Sequence, residues 1–259
     1  MNCTTQAPLV VVLVEPAGAL NVGSVARLCA NFDVAELRLV SPRCDPRCED
    51  ARRMAVRGGT VLAQARLFNS LTEAVADCRR VVATSGRRDG EPLELHPPKE
   101  ALAWLLQSPH ADAKAPMSAA PLALVFGRED RGLSNLEMLQ AGRLLAIDTG
   151  DRYGSLNLAQ AAAIVLHEWQ QLSRNPSAHP AVDQASPLPD PCARGHLEAM
   201  LEDAENLLLD VEFLYPHTAS ARMAKLRALL QRAQVSSAEV ALLRGMVRQL
   251  RWASQAQTS

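Results

Sequence analysis

The chain has 259 residues, 48% of them hydrophobic and only 3% aromatic, enough for one large core filled by Leu, Val, Ile and Ala. Its 27 Lys and Arg against 28 Asp and Glu leave a net charge of −1, which excludes a general nucleic-acid coat and confines any RNA contact to local patches. The cysteines, Cys3, Cys29, Cys44, Cys48, Cys78 and Cys192, are scattered through a chain too long to need a disulfide framework.

The run Leu9 to Val14 reads as a strand buried on both faces. It is far too short to span a bilayer, and a cytoplasmic protein is expected. A Gly-containing turn and a helix over Val22 to Phe32 follow. Leu37 to Val40 reads as a second strand, stopped by Ser41 and Pro42. Arg43 to Arg57 is rich in charge and helical from Glu49. A zinc site at Cys44 and Cys48 lacks two further ligands, so no metal is expected. Ala65 to Phe68 reads as a short strand and Leu71 to Arg79 as a helix. Val81 to Thr84, Leu122 to Phe126 and Leu144 to Ile147 read as further strands. Asn157 to Leu172 carries Leu158, Ala161, Val165, Trp169 and Leu172 at helical spacing. Strands alternating with helices predict an α/β fold with a mostly parallel sheet.

Between Ser173 and Ala193 stand five prolines, the composition of a linker. The predicted division is therefore a domain over 1–172, a linker over 173–193 and an all-helical extension over 194–259. The extension is acidic at first, through Glu198, Glu202, Asp203, Glu205, Asp210 and Glu212. From Arg222 to Arg251 seven cations face the single acid Glu239. Val240, Leu243, Val247 and Leu250 form an apolar stripe expected to pack internally.

Three segments carry candidate chemistry. In Asn21 to Arg27, Gly23 would permit a tight turn from strand to helix, whose free N–H groups attract anions. Arg27 would lie one turn inside that helix. Gly18 and Gly23 have P-loop spacing, but Ser24 stands where Lys is required, and no G-x-G-x-x-G occurs. In Val125 to Asn135, a predicted strand runs into Gly127, Arg128, Glu129, Asp130, Arg131 and Gly132, at the edge where open parallel sheets bind ligands. The two glycines would let backbone approach a ligand. The plainer alternative is a charged loop whose residues pair with one another. In Ile147 to Asn157, a strand leads into the strongest helix, with Ser155 or Asn157 as its cap.

In this order and spacing the three segments resemble the SPOUT superfamily of RNA methyltransferases, in particular the TrmJ-like tRNA ribose 2′-O-methyltransferases. The patterns are N-x-G-x-x-A-R at Asn21 to Arg27, L-V-F-G-R-E-x-x-G-L at Leu124 to Leu133, and Y-x-S-L-N-L-A at Tyr153 to Ala159. Phe213 to Pro216, Met223 to Arg227 and Leu242 to Gly245 resemble that group's C-terminal extension. The resemblance implies a trefoil knot at the C-terminal edge of the sheet, a homodimer through the knot region, and S-adenosylmethionine as cofactor. It implies methyl transfer to a tRNA ribose, at position 32 of the anticodon loop, with another tRNA position or ribosomal RNA as the alternative target.

By the same resemblance the cofactor is held by Thr84, Ser85, Gly86, Gly127, Arg128, Ile147, Ser155, Leu156 and Asn157. Asn21, Arg27, Glu129 and Ser155 are the implied catalytic set. Arg27, Arg87, Arg222, Lys225 and Arg227 are the expected RNA contacts. A guanidinium has no lone pair to act as a base, so Arg27 is expected to stabilise a developing alkoxide and grip a phosphate. Two other classes compete. An RNA-binding module without catalysis would need a damaged cofactor loop, and a dinucleotide enzyme would need the missing glycine fingerprint.

Overall fold

The computed structural model describes residues 7–86, 92–107, 120–150, 152, 154–175 and 191–256. Seven strands form one sheet: β1 (Leu9–Val14), β2 (Glu36–Val40), β3 (Arg66–Phe68), β4 (Arg80–Thr84), β5 (Leu95–His96), β6 (Leu122–Phe126) and β7 (Arg143–Leu145). Their order is β3-β2-β1-β6-β4-β7-β5, and every pairing is parallel.

β1 shows why this sheet forms. Its residues alternate between two cores, Leu9, Val11 and Leu13 on one face, Val10, Val12 and Val14 on the other. No polar side chain interrupts it because neither face meets water. The first face is covered by α1 (Ala19–Asn31), α2 (Glu49–Ala55), α3 (Gly59–Gln64), α5 (Pro98–Leu106) and α7 (Leu158–Arg174). The second is covered by α4 (Leu71–Ala74) and α6 (Asn135–Met138).

Several elements depart from expectation. α1 begins at Ala19, so Gly23 lies inside the helix and makes no turn. A Cβ at Gly23 would stand 2.2 Å from the Ala51 carbonyl oxygen, so this glycine lets α1 and α2 meet backbone to backbone. Arg27 accordingly sits more than two turns into the helix, not one. α4 is a single turn, since the chain must swing back to start β4 at Arg80. β7 ends at Leu145, leaving Ile147 in the loop beyond. α5 escaped notice because its apolar residues, Ala101 to Leu105, form an unbroken buried run without a polar face.

Beyond the sheet, α8 (Arg194–Asp210), α9 (Pro216–Arg232) and α10 (Ser237–Ala256) enclose a third core. It joins the first unit through main-chain bonds, Arg194 N–H to the Cys78 carbonyl at 3.1 Å and Gly195 N–H to that of Ala76 at 2.9 Å. Of the expected internal stripe on α10, Val240 is buried, and Leu243 and Val247 pack against this core. Leu250, further along the same face, is not part of this core and is 58% exposed.

Candidate active site

All strands being parallel, their C-terminal ends share one edge, and the loops leaving β4, β6 and β7 enclose a cavity there of about 290 Å³. Its walls are Thr84 to Gly86 after β4, Phe126 to Leu133 at β6, Leu145 and Ile147 at β7, and Gly154 to Leu156 with Leu158 and Ala161 at the entry to α7. Thus Thr84, Ser85, Gly86, Gly127, Arg128, Glu129, Ile147, Ser155 and Leu156, expected at one site, come together. Phe126, Leu133, Leu145, Leu158 and Ala161 were missed, since as apolar core-type residues they carry no signal in the chain. Asn157, Asn21 and Arg27 are not in the wall. Arg87 and Tyr153 lie outside the described residues.

The loop after β6 is folded by its own bonds. Arg128 N–H donates to the Gly132 carbonyl at 3.3 Å and Gly132 N–H returns to that of Arg128 at 2.9 Å. Gly132 has φ +69°, which favours glycine. A Cβ on Gly127 would lie 2.4 Å from the Gly132 carbonyl carbon. The missing side chain at Gly127 therefore makes room for the returning loop, not for a ligand.

The four charges of this loop do not pair with one another. Arg128 is clamped between Glu15, at the end of β1, and Glu137, on α6, with the latter at 2.8 and 2.9 Å. Arg131 reaches Glu15 at 3.5 Å, and Asp130 pairs with Arg43 at 3.3 Å. The Arg128 side chain, expected on the cofactor, is thus already held by two carboxylates, and it serves to fix the loop. Glu15 was overlooked because it is an isolated acid just before a proline. Its carboxyl is held below the ordinary Glu range, chiefly by the hydrogen bond from Arg128.

Glu129 occupies the start of α1. It accepts from the Ala17 N–H at 3.0 Å, the Gly18 N–H at 3.0 Å and the Asn21 amide at 3.1 Å. The expected anion attraction at this helix start is satisfied from within the chain. Burial alone would raise the Glu129 pKa, but these three donors outweigh it and hold the carboxyl below its ordinary range. Glu129 is bonded to Asn21 and not to Arg27.

The third segment closes the figure. Asn157 caps α7, its side-chain oxygen accepting from Ala159 N–H at 2.9 Å, and its amide donates to Asn21 at 3.0 Å. Ser155 is exposed on the cavity wall and makes no hydrogen bond among the described residues. The Thr84 hydroxyl is committed to the Val125 carbonyl at 3.1 Å, tying β4 to β6. Arg27 is exposed and without an ion pair among the described residues. It stands six residues beyond Asn21, about 9 Å along the helix axis.

The expected RNA contacts of the extension divide. Arg227 is bidentate to Glu198, at 3.0 and 2.9 Å, and so braces α9 against α8. Arg222 is exposed and donates to the Phe213 carbonyl at 3.1 Å. Lys225 is exposed and has no partner among the described residues. No group of three or more metal-binding side chains occurs among the described residues, and no described helix is long and apolar enough to cross a membrane.

The SpoU rRNA Methylase family model matches residues 8–167, and that of the C-terminal domain of the tRNA methyltransferase TrmJ matches residues 195–259. A tRNA (cytidine/uridine-2′-O-)-methyltransferase TrmJ of Klebsiella pneumoniae is 35% identical over 245 residues, covering 92% of this chain and 93% of that protein. The crystal structure of TrmJ from Z. mobilis ZM4 superposes with TM-score 0.77 at 30% identity, over 94% of this chain and 98% of the other. A structure described as giving insight into 2-OH methylation of C/U34 on tRNA superposes with TM-score 0.50 at 26% identity, over 65% of this chain and 98% of the other. Strand order, the convergent loops and these likenesses agree, and the chain belongs to the SpoU rRNA Methylase family, with a TrmJ-type C-terminal domain.

Proposed function

We propose that this protein transfers a methyl group from S-adenosylmethionine to a ribose 2′-hydroxyl of tRNA, at position 32 of the anticodon loop. The carrying observation is the convergence of the loops after β4, β6 and β7 on one cavity at the C-terminal sheet edge, with Asn21 of the first segment hydrogen-bonded to both Glu129 and Asn157 beside it. The volume of about 290 Å³ sits at the lower end of small-molecule sites, about 300–1,000 Å³. Leu133, Leu145, Ile147 and Leu156 offer an apolar slot suited to an adenine, and the Ser155 hydroxyl is uncommitted beside it. These residues fit the cofactor, and Thr84 to Gly86, Gly127, Ile147, Ser155 and Leu156 would hold it.

When bound, S-adenosylmethionine supplies a methyl already activated on a sulfonium. The chain's task is then to position the acceptor and support loss of its proton. Positioning alone supplies on the order of 7–11 kcal/mol. Glu129, kept ionised, anchors Asn21 and the start of α1. Ser155 faces the acceptor. Arg27 stabilises the developing alkoxide and grips the neighbouring phosphate. Since Arg27 is not in the wall of its own chain's cavity, a homodimer would complete the acceptor side, Arg27 of one copy serving the cavity of the other.

A trefoil knot formed by the loops at this edge, a division at 1–172, 173–193 and 194–259, and a cytoplasmic location complete the reading. The test is incubation with labelled methyl donor and unmodified tRNA transcripts, followed by mapping of the labelled ribose. Label at position 32 supports the reading. Label at position 34, the site named for one neighbour, moves the target, and no transfer to tRNA ends the case.

A further inference from the structure

Aromatic side chains are scarce here, and most are hidden. Phe126, Trp104 and Trp169 are buried, while Phe32 and Phe68 pack against the cores. Trp252 on α10, 66% exposed, stands alone, whereas the connection between α8 and α9 exposes two rings together. Phe213 is 62% exposed and Tyr215 51% exposed, on either side of Leu214, which is buried in the third core.

The backbone is built to hold them so. α8 stops at Asp210, and Glu212 takes φ +57°, a left-handed conformation unfavourable for a residue with a side chain. Leu214 N–H then donates back to the Leu208 carbonyl at 2.8 Å, anchoring the middle residue. Phe213 and Leu214 lie in a bend and Tyr215, the cap of α9, is extended, so the chain turns Leu214 inward and leaves its two neighbours exposed.

The exposed rings have ring and cation neighbours. Tyr215 stacks on His217 with centroids 6.0 Å apart and planes 21° apart. The Arg222 guanidinium lies over the Phe213 ring at 6.0 Å while bonded to its carbonyl. Lys225 is exposed on the same helix as Arg222, and the exposed acids Asp210 and Glu212 precede Phe213 in the chain. Single exposed apolar residues need no explanation, but two adjacent rings beside cations without an ion pair among the described residues do.

We propose that Phe213 and Tyr215, with His217 and Arg222, form a stacking platform for unpaired bases of RNA. Duplex RNA hides its base faces, whereas loop bases present them to aromatic rings and guanidinium planes. The neighbouring Lys225 would meet the phosphates of the same strand. The inference rests on the reading of the protein as a tRNA methylase, and it names how the C-terminal helices would recognise a loop.

The test uses the full chain and an RNA hairpin with 2-aminopurine in its loop, alongside unmodified tRNA. Wild type should quench the fluorophore. A Phe213→Ala/Tyr215→Ala variant should lose the quenching and bind tRNA on the order of 10- to 100-fold more weakly, with an unchanged salt slope. Phe213→Leu/Tyr215→Leu, which keeps apolar bulk, should behave like the alanine pair. Heat of S-adenosylmethionine binding should stay at the wild-type value in both, showing an intact fold. Double variants that bind both RNAs as wild type does would overturn the platform, as would altered sedimentation with unaltered RNA affinity, the mark of a contact between copies. Quenching without methyl transfer would instead sink the methylase reading and leave the platform standing.

Discussion

The side-chain amide of Asn157 donates to the side-chain oxygen of Asn21 at 3.0 Å, joining residues 136 positions apart. Asn21 in turn donates to Glu129 at 3.1 Å. One small amide thus links the start of α1, the loop after β6 and the cap of α7. Asn21→Ala breaks both bonds and removes one donor from Glu129. A net loss of about 1–2 kcal/mol in stability is expected, read as a lowered melting temperature. Turnover on tRNA should fall more steeply than stability, since the three segments lose their common register.

Arg128 holds its loop by a planar fork between two carboxylates, a geometry that a lysine ammonium cannot reproduce. Arg128→Lys should therefore weaken S-adenosylmethionine binding by about tenfold, a cost of about 1.4 kcal/mol, measured by calorimetry. The same clamp predicts a pH response. Glu15 and Glu137 have carboxyls lowered from their ordinary range, Glu15 mainly by the Arg128 hydrogen bond, Glu137 by Arg128 and Ser134 against an opposing burial effect. A depressed carboxyl contributes stability that is fully present above the ordinary Glu range and is lost as pH falls through the folded value. Melting temperature should hold from neutral pH down to that range and then drop. In Arg128→Met the acid-side drop should be shallower.

Gly23 faces the Ala51 carbonyl so closely that a Cβ would sit at 2.2 Å. Gly23→Ala must push α1 from α2 and should destabilise by about 1–3 kcal/mol, despite the higher helix propensity of alanine. Chemical denaturation would measure it. A stabilised variant would refute the close packing.

Lys225 and Arg227 lie two residues apart and should behave oppositely. Lys225→Ala should weaken tRNA binding and lower the slope of log affinity against log salt by about one. Arg227→Ala removes a bidentate pair with Glu198, so it should lower the melting temperature and leave the salt slope unchanged. Titrations of tRNA at several salt concentrations separate the two.

Much of this was readable from the chain. β1 and β6 announced themselves as unbroken apolar runs, and α7 by a periodic face behind Asn157. The wall residues with distinctive chemistry, Gly127, Glu129 and Ser155, stood in recognisable patterns. The partners of the charges were not readable. Arg128, Asp130 and Arg131 each adjoin an opposite charge in the chain yet pair with Glu15, Glu137 and Arg43. Ion pairs form between groups that meet in space, and neighbours on a turning loop point apart.

Local sequence by itself determined most of the strands and the long α7, because burial on one face or two leaves a pattern that needs no knowledge of the rest of the chain, whereas α5 and the bounds of α1 and α4 were not legible. It also narrowed the start of α7 to a cap at Ser155 or Asn157, since a cap acts within three residues, and the structure has Asn157. Only the tertiary structure decided the roles of individual polar side chains. It gave Glu129 to the start of α1, Arg227 to the bracing of α8, and Gly23 to a helix contact. Those outcomes depend on which surfaces the sheet order brings within a few ångströms, and hydrogen bonds and contacts vanish beyond that range.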